Sequence, residues 1–579
     1  MKNARLAASL AGFVVVGGIG WWACSGQNTA PATPPGPNKG GRLVATFRTE
    51  PQTYNRFVSP RSAEDLFARL TQATLARLNR VSGELEPWLA TSWTSSSADS
   101  RVWTLKLRPG VVFSDGAPFS AADVQFTFQA LYDKKVASPL ASSLLIADQP
   151  LDVRALDDTT IVLTMPAPYG PGLSLLDAIP ILPRHKLEAA FKAGTFRDAW
   201  GLSTPPADLA GLGPFVLKSY VHGERMIFAR NPHYWRRDET GAALPRLDEL
   251  EVQIVPEQNA ELLRLKGGTT DLMTAQVRPE DLAGLRRLEA TGAVQLVQAG
   301  LSINPDALWF NLTPGANKDR PWLQSEELRR AISHAVDRKA FADTVFLGAA
   351  EPIYGPITPG NRAWFTADLP KTEHDVARAK ALLGSIGLTD RNGDGMLEDK
   401  AGHPAKFSIL TQKGHSILEQ SVAVLREQLG KVGLAVDVVS LEQPAMLDRF
   451  INGQYDAMYF FVAADSFDPA RNLDFWLSSS DFHLWQPSQK KPVRAWEATI
   501  DDLMQRESTT MDRAEAHRLF NEAQKTLADH LPIIYFAAPE VTIAMSSRVR
   551  GATPSVLLPP VLWNADVLWV TAAGHAGRQ

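Results

Sequence analysis

The chain has 579 residues, with 59 basic and 63 acidic side chains and a single cysteine. The net charge of −4 lacks the concentrated positive charge that a nucleic-acid-binding surface needs, and one cysteine excludes both an internal disulfide and a thiolate zinc cluster. A hydrophobic fraction of 45% with 21% charged residues excludes a largely disordered chain and indicates a globular protein with a large core.

The first element along the chain has the composition of an export signal. Lys2 and Arg5 precede an uncharged, mostly apolar run over residues 6–23, which ends at the only cysteine, Cys24. This order predicts a signal peptide over residues 1–23. The position of Cys24 predicts that its thiol is acylated and anchors the mature protein to a membrane. An ordinary cleaved signal and an uncleaved anchor helix are the alternatives, because about 18 apolar residues are a borderline length for a membrane span.

Residues 24–40 are predicted to hold the lipid attachment point and a flexible tether, because small residues, prolines and glycines cannot build a core. Cleavage after residue 23 leaves 57 basic and 63 acidic side chains, a net charge of −6. No later segment is an uncharged apolar run of about 18 residues, so no other membrane span is predicted.

The body of the protein begins with a predicted strand from Gly41 to Thr49. Residues 101–107 alternate between apolar and polar side chains, which predicts a half-buried strand. Ser120 and Asp123 form a capping box, which predicts a helix that ends near residue 132.

Further along the chain, apolar residues at helical spacing between Leu328 and Val336 predict a second helix, with Ser325 as its cap. Residues 406–440 predict a strand, a helix and another strand. A βαβ unit of this kind joins parallel strands, so the chain is predicted to have a mixed α/β fold.

One segment resembles a calcium-binding loop. A hard cation prefers oxygen ligands, and oxygen-bearing groups fall at loop positions 1, 3, 5, 7 and 9. These candidate ligands are Asp390, Asn392, Asp394, the backbone carbonyl of Met396 and Glu398. The usual bidentate glutamate at position 12 is missing, and an ordinary Asp/Asn/Gly-rich surface turn is the alternative. We expect a structural calcium ion at most, with no cofactor required for function.

The common catalytic signatures are absent from the sequence. There is no zinc-protease motif, no nucleophile elbow and no phosphate-binding P-loop. The nearest approach to a dinucleotide-binding loop, residues 211–216, lacks the third glycine and has a proline where a helix would start. The chain is therefore not expected to be an enzyme.

Several stretches match one family in order along the chain. They are residues 87–93, 101–131, 211–235, 308–360, 375–388 and 455–469. From about Gly41 to its end, the chain resembles the family 5 extracellular solute-binding proteins, which are the peptide- and nickel-binding components of ABC importers. One departure is Tyr54-Asn55-Arg56, where the family commonly has Leu-Asn-Pro.

The resemblance implies an α/β, periplasmic-binding-protein-like fold of type II (cluster C), with two lobes joined by a hinge. Lobe one would cover residues 41–304 and 535–579, with an inserted subdomain at about 62–180. Lobe two would cover residues 305–534. The ligand would lie between the lobes and stabilise their closure by a hinge motion.

The resemblance also implies a ligand site. In peptide-binding relatives an aspartate holds the ammonium group of the peptide, and Asp465 falls at that position. Val462, Ala463 and Ala464 would offer backbone groups, which bind peptides regardless of side-chain identity. Thr49 and Glu50 would approach the cleft from lobe one, and Trp485 is a candidate for lining a side-chain pocket. The alternative for Asp465 is a turn or capping residue, and the alternative for the tryptophan is core packing.

The function implied is that of an exported, monomeric receptor at the periplasmic or extracytoplasmic face, anchored by a lipid on Cys24. It would deliver short peptides to the permease of an ABC transporter, without nucleic-acid partners. The alternatives are the same fold with an oligosaccharide, a nickel chelate or haem as the ligand, a receptor that feeds a sensor, or an exported hydrolase.

Overall fold

The computed structural model describes residues 40–96, 99–462, 466–480 and 483–571. The predicted signal peptide, Cys24 and the tether up to residue 39 lie outside the described residues. Within the described part of the chain, no helix is both long enough and apolar enough to cross a membrane.

The strands of the described residues are β1 (Arg42–Phe47), β2 (Ala76–Leu78), β3 (Leu85–Pro87), β4 (Ala90–Ser95), β5 (Val102–Leu107), β6 (Asp152–Asp157), β7 (Thr160–Thr164), β8 (Phe215–Val221), β9 (Arg225–Arg230), β10 (Glu249–Ile254), β11 (Leu272–Met273), β12 (Val294–Leu301), β13 (Asp306–Phe310), β14 (Ala350–Pro352), β15 (Lys406–Gln412), β16 (Ala435–Leu441), β17 (Ala457–Phe461), β18 (Ile533–Tyr535), β19 (Ala537–Ser546), β20 (Val549–Arg550) and β21 (Trp569–Val570).

The α-helices of the same residues are α1 (Ser62–Thr71), α2 (Ala121–Tyr132), α3 (Arg184–Ala193), α4 (Gln258–Lys266), α5 (Pro279–Ala290), α6 (Glu326–Ala335), α7 (Arg338–Val345), α8 (Val376–Ser385), α9 (Ser416–Gly430), α10 (Gln443–Ile451), α11 (Leu473–Trp476), α12 (Ala495–Thr509) and α13 (Arg513–His530).

The larger sheet has eight strands. Seven of them follow the order β12-β19-β11-β1-β10-β9-β8, and β14 pairs with β19 off this path. The predicted first strand is confirmed as β1, which lies in the interior of this sheet and runs parallel to both β10 and β11. Leu43 and Ala45 of β1 are buried in a core shared with the segment between β1 and β8.

That intervening segment contains a second, four-stranded sheet in the order β4-β5-β7-β6. The half-buried strand predicted at 101–107 is its β5. The predicted capping box is also confirmed, since Asp123 accepts a hydrogen bond of 2.9 Å from the backbone N–H of Ser120 at the start of α2. This part of the molecule is called the subdomain below.

The five-stranded sheet has the order β16-β15-β17-β13-β18 and a separate hydrophobic core. The βαβ unit predicted at 406–440 is confirmed, with β15 and β16 parallel and α9 packed on them. The second predicted helix is α6, which Ser325 caps through the backbone N–H of Leu328. It ends at Ala335, one residue before the end of the predicted stripe, because Val336 adopts an extended conformation.

Apart from β14, which pairs with the start of β19, the chain passes between the two large sheets twice. It leaves β12 of the eight-stranded sheet at Leu301 and enters β13 of the five-stranded sheet at Asp306. It returns between Tyr535 of β18 and Ala537 of β19. Two sheets with separate cores form the two lobes of the predicted fold. The motion of these crossings as a hinge stays a prediction.

Candidate functional site

A cavity with a volume of about 440 Å³ lies between the lobes. Lobe one contributes the end of β1, the start of α1 and the loop after β11, and lobe two contributes Ser466 and Arg471. The strands β1 and β11 are parallel and end together at this point. The carboxyl ends of parallel strands are where α/β folds bind their ligands. This space is called the interlobe cavity.

The two residues predicted to approach the cleft from lobe one have different surroundings. Thr49 lines the interlobe cavity, where its hydroxyl lies 3.3 Å from that of Ser62 at the start of α1. Glu50 instead accepts hydrogen bonds from the Tyr220 hydroxyl at 2.7 Å and the Gly223 backbone at 2.9 Å. The Gly223 N–H and the Tyr220 hydroxyl lower the pKa of Glu50. Its carboxylate therefore anchors the β8–β9 turn and does not line the cavity.

The candidate ligand segment follows β17 in lobe two. Val462 donates its backbone N–H to the carbonyl oxygen of Pro305 at 2.9 Å, which ties the segment to the crossing that enters β13. Ala463, Ala464 and Asp465 lie outside the described residues, so their roles stay predictions. Ser466, the next residue, lines the interlobe cavity.

The prediction that Trp485 lines a side-chain pocket is wrong. Its side chain is 1% exposed and belongs to the core of lobe two. The indole N–H donates to the carboxylate of Glu497 on α12 at 3.0 Å, and the ring packs against His483 and Trp496. This burial leaves no face of the ring for a solute.

The subdomain makes one of the contacts between the lobes. The backbone N–H of Gly170 donates to the carbonyl oxygen of Ser508 in α12 at 2.7 Å, and Arg471 donates to the carbonyl oxygen of Ser174 at 2.9 Å. A Cβ atom at Gly170 would lie 3.0 Å from the carbonyl oxygen of Thr510, so a larger residue here would have to push α12 away by a few tenths of an ångström. The lobes thus meet backbone to backbone beside the interlobe cavity.

Two carboxyl groups lie next to this contact. Glu507 is 2% exposed, and its Oε2 atom has no hydrogen-bond partner. Burial, and then the charge of Asp468, raise the pKa of Glu507 to about 9. Burial also raises the pKa of Asp468 to about 6. Asp468 caps a short 3₁₀ helix through the backbone N–H of Ala470 at 3.0 Å.

A cluster of arginines on the lobe-one side was not predicted from the sequence. Arg56 donates to the carbonyl oxygen of Ala178 at 2.7 Å and lies 2.6 Å from a carboxylate oxygen of Asp65. Arg69 bonds the other oxygen of Asp65 at 2.7 Å. Burial opposes ionisation of Asp65, but Arg69 and Arg56 outweigh it and lower its pKa to about 2. The only signal in the sequence is the departure of Arg56 from the family pattern.

The cluster continues to the carboxyl-terminal part of the chain. Arg80 donates to the carbonyl oxygen of Leu558 and lies 3.8 Å from Asp177, as does Arg69. Asp177 uses its other oxygen to accept the Leu78 backbone N–H at 2.9 Å. Arg56, Arg69 and Arg80 are called the arginine cluster, and all three line the interlobe cavity.

The predicted calcium loop brings its oxygen atoms together. Carboxylate oxygens of Asp390, Asp394 and Glu398 lie within 4.8 Å of one another. Asp390 accepts the backbone N–H of Gly393 at 2.7 Å, and Asn392 accepts that of Asp394 at 2.9 Å. The same groups serve an Asp/Asn-rich turn, so calcium binding stays a prediction.

Residues 84–483, more than half of the chain, match the family described as bacterial extracellular solute-binding proteins, family 5 Middle. The chain belongs to the family 5 extracellular solute-binding proteins. Members of this family are solute receptors of ABC importers and act on the periplasmic or extracytoplasmic side of the membrane.

Individual relatives cover nearly the whole of this family 5 protein. A "probable ABC transporter-binding protein" of Deinococcus radiodurans is 27% identical over 536 residues, which is 88% of this chain and 89% of the relative. The oligopeptide-binding protein AppA of Bacillus subtilis is 24% identical over 95% of this chain and 96% of its own. The crystal structure of the ABC transporter substrate-binding protein CtaP from Listeria monocytogenes superimposes with a TM-score of 0.75 at 23% identity, covering 92% of this chain and all of CtaP.

Proposed function

We propose that this family 5 protein captures a short peptide between its lobes and delivers it to the permease of an ABC importer. The observation that carries the proposal is the position of the interlobe cavity. It lies at the carboxyl ends of β1 and β11, and the segment that follows β17 reaches it at Ser466. The similarity to the oligopeptide-binding protein AppA supports a peptide as the solute.

In this proposal the segment 462–465 holds the amino end of the peptide. Asp465 pairs with the peptide's ammonium group, because a buried ammonium needs a carboxylate to offset its loss of hydration. Backbone groups of Ala463 and Ala464 bond the main chain of the peptide and leave its side chains unspecified. Thr49 faces the peptide from lobe one.

We further propose that the protein acts as a monomer, without a required cofactor, and that a lipid on Cys24 holds it at the membrane. The apolar run that ends at the only cysteine supports the anchor. Intact-mass analysis of the protein from a membrane fraction tests it. We expect a chain that begins at residue 24 and carries a diacylglycerol-sized addition, and a Cys24→Ser variant released from the membrane.

Calorimetry of the purified protein with di- to pentapeptides tests the proposed ligand. We expect micromolar affinity, about −8 kcal/mol, and a loss of at least tenfold with Asp465→Asn. The matched control is Asp474→Asn on α11, where the side chain is exposed. Absence of binding to every free-amine peptide, or normal binding by the Asp465→Asn variant, would contradict the proposal.

A further inference from the structure

Two neighbouring carboxyl groups lie at the contact between the subdomain and lobe two. Glu507, in the last turn of α12, is 2% exposed, and its Oε2 atom has no hydrogen-bond partner. Burial, and then the negative charge of the half-buried Asp468, disfavour its ionisation. Two carboxyl groups held together away from water cannot both ionise without a large cost. Glu507 and Asp468 are called the carboxyl pair.

The charges of lobe two do not offset the carboxyl pair. Among the described residues, Asp468 is the only charged group that acts on Glu507. Burial raises the pKa of Asp468 to about 6, against the Ala470 N–H and the charges of Arg471 and of Arg513 at the start of α13. The other charged or titratable side chains on the helices packed here are Asp474 of α11 and Arg506 of α12, which are exposed, and His517 of α13, which stacks on Trp364. The pair is therefore stable in this contact only while it holds a proton.

The subdomain covers the carboxyl pair with an uncharged segment. Residues 165–174 carry no charged side chain, and Tyr169 is their one titratable group. The backbone N–H of Gly170 donates to the carbonyl oxygen of Ser508 at 2.7 Å, and a Cβ atom at Gly170 would lie 3.2 Å from the carbonyl oxygen of Glu507. The segment thus lies on the turn of α12 that carries Glu507. Separation of the lobes at this point would return the carboxyl group to water.

We propose that closing of the subdomain on lobe two is coupled to the uptake of a proton by the carboxyl pair. The contact is held in acid and is released as the pair ionises. Because the contact itself binds no solute, this coupling goes beyond the proposed capture of a peptide.

The direction of the coupling follows from the pKa of Glu507. Burial in the contact raises it to about 9 from an ordinary value of 4.5. A raised pKa means that the contribution of Glu507 to the contact is fully present below about pH 4.5 and is lost as the pH rises towards 9. The ratio of closed to separated molecules should therefore fall by up to about tenfold per pH unit.

Resonance energy transfer between two dyes measures the contact directly. One dye is attached at Arg154→Cys, where the side chain is 73% exposed on the subdomain, and the other at Lys431→Cys, 62% exposed at the end of α9 in lobe two. The full chain carries Cys24→Ser, so the two label sites are its only thiols. The dyes are insensitive to pH, and no solute is added. We expect the population with the short distance to decrease steadily from about pH 5 to about pH 9.

Three variants test which group takes up the proton. Glu507→Gln is neutral at every pH, so its contact should persist to about pH 9, with only a small change near pH 6 from Asp468. Asp468→Asn should reduce the response without abolishing it, because burial is the larger cause of the shift at Glu507. The matched control is Asp502→Asn, since Asp502 lies on the same helix and is 64% exposed. It should follow the wild type.

The outcomes distinguish this inference from the proposed peptide function. An unchanged distance between pH 5 and pH 9, or a full wild-type response in the Glu507→Gln variant, overturns the proton coupling and leaves peptide capture standing. A response that Glu507→Gln removes supports the coupling even where no peptide binds, because no solute takes part in the measurement. Melting temperatures at each pH show that the longer distance belongs to folded protein.

Discussion

The two ends of helix α12 carry buried glutamates with opposite behaviour. Glu497, in the first turn, accepts hydrogen bonds from the backbone N–H groups of Val493 and Arg494 at 2.8 and 2.9 Å and from the Arg494 side chain at 2.8 Å. Glu507, in the last turn, has an unpaired oxygen beside Asp468. The first is 1% exposed and the second 2%, so burial does not distinguish them.

The surroundings decide the charge state of each carboxyl group. At Glu497, burial opposes ionisation, but His483, the Trp485 indole and the backbone donors outweigh it and hold the pKa well below its usual value. At Glu507, nothing opposes burial, so the pKa rises to about 9. The positive end of a helix favours a carboxylate and the negative end disfavours it, in the same direction as these shifts. The end of α12 that contacts the subdomain is therefore the protonated one.

Replacing glutamate by glutamine at each end of α12 gives the largest expected difference in the free energy of unfolding. Glu497→Gln removes a buried charge that pairs with Arg494 and should lower the free energy of unfolding by about 3–5 kcal/mol. Glu507→Gln replaces a protonated carboxyl by a neutral amide of similar shape. It also removes the cost of keeping that carboxyl protonated at pH 7, so it should raise the free energy of unfolding, by up to about 3 kcal/mol. Urea denaturation at pH 7 measures both. Equal losses in the two variants would show that the charge states assigned here are wrong.

The amino end of α12 can be destabilised by a smaller amount by removing the indole N–H that donates to Glu497. Trp485→Phe removes the N–H that bonds Glu497 but keeps most of the ring, so we expect a loss of about 1–3 kcal/mol. Because Trp485 is a core residue, solute affinity should stay within twofold of the wild type. A tenfold loss of affinity in a folded Trp485→Phe protein would restore the pocket role that burial excludes.

The two glutamates of α12 also predict opposite changes in the free energy of unfolding with pH. The pKa of Glu507 is raised from 4.5 to about 9 on folding. Its contribution to the free energy of unfolding is therefore present below about pH 4.5 and is lost as the pH rises towards 9. Over this range the free energy of unfolding falls by at most about 1.4 kcal/mol per pH unit. Glu497 has a lowered pKa, so its contribution is present above about pH 4.5 and is lost in acid.

Urea midpoints between pH 5 and pH 9 measure the contribution of Glu507. Glu507→Gln should flatten the profile over this range, whereas Glu427→Gln, an exposed glutamate on α9, should leave it unchanged. A profile that keeps the wild-type slope in the Glu507→Gln variant would refute the assignment.

The predicted calcium loop gives the smallest expected effect on stability. If the loop binds calcium, millimolar calcium should raise the free energy of unfolding by about 1–3 kcal/mol, depending on the affinity. A double variant, Asp390→Asn with Asp394→Asn, should abolish the increase. Identical unfolding curves in calcium and in chelator would show that the loop is an ordinary surface turn that does not bind calcium.

Much of the fold could be predicted from the sequence because its signals are local. The capping box at Ser120, the alternation in β5 and the βαβ unit at 406–440 each depend on neighbouring residues and hold in the structure. The family resemblance added the order of the lobes, which no local pattern contains.

The parts of the site that were missed depend on distant partners. Glu50 is turned away from the cavity by Tyr220 of β8, and Trp485 is buried by Glu497 of α12. The arginine cluster joins α1, the subdomain and the carboxyl-terminal region, so its members have no common spacing in the sequence. Only packing brings these groups together.

We propose that the interlobe cavity holds a short peptide. Native mass spectrometry of the protein purified without denaturation tests it most directly. We predict a population carrying extra mass that, when released and fragmented, sequences as short peptides. Release of an oligosaccharide, a metal chelate or haem in place of peptides would contradict the claim.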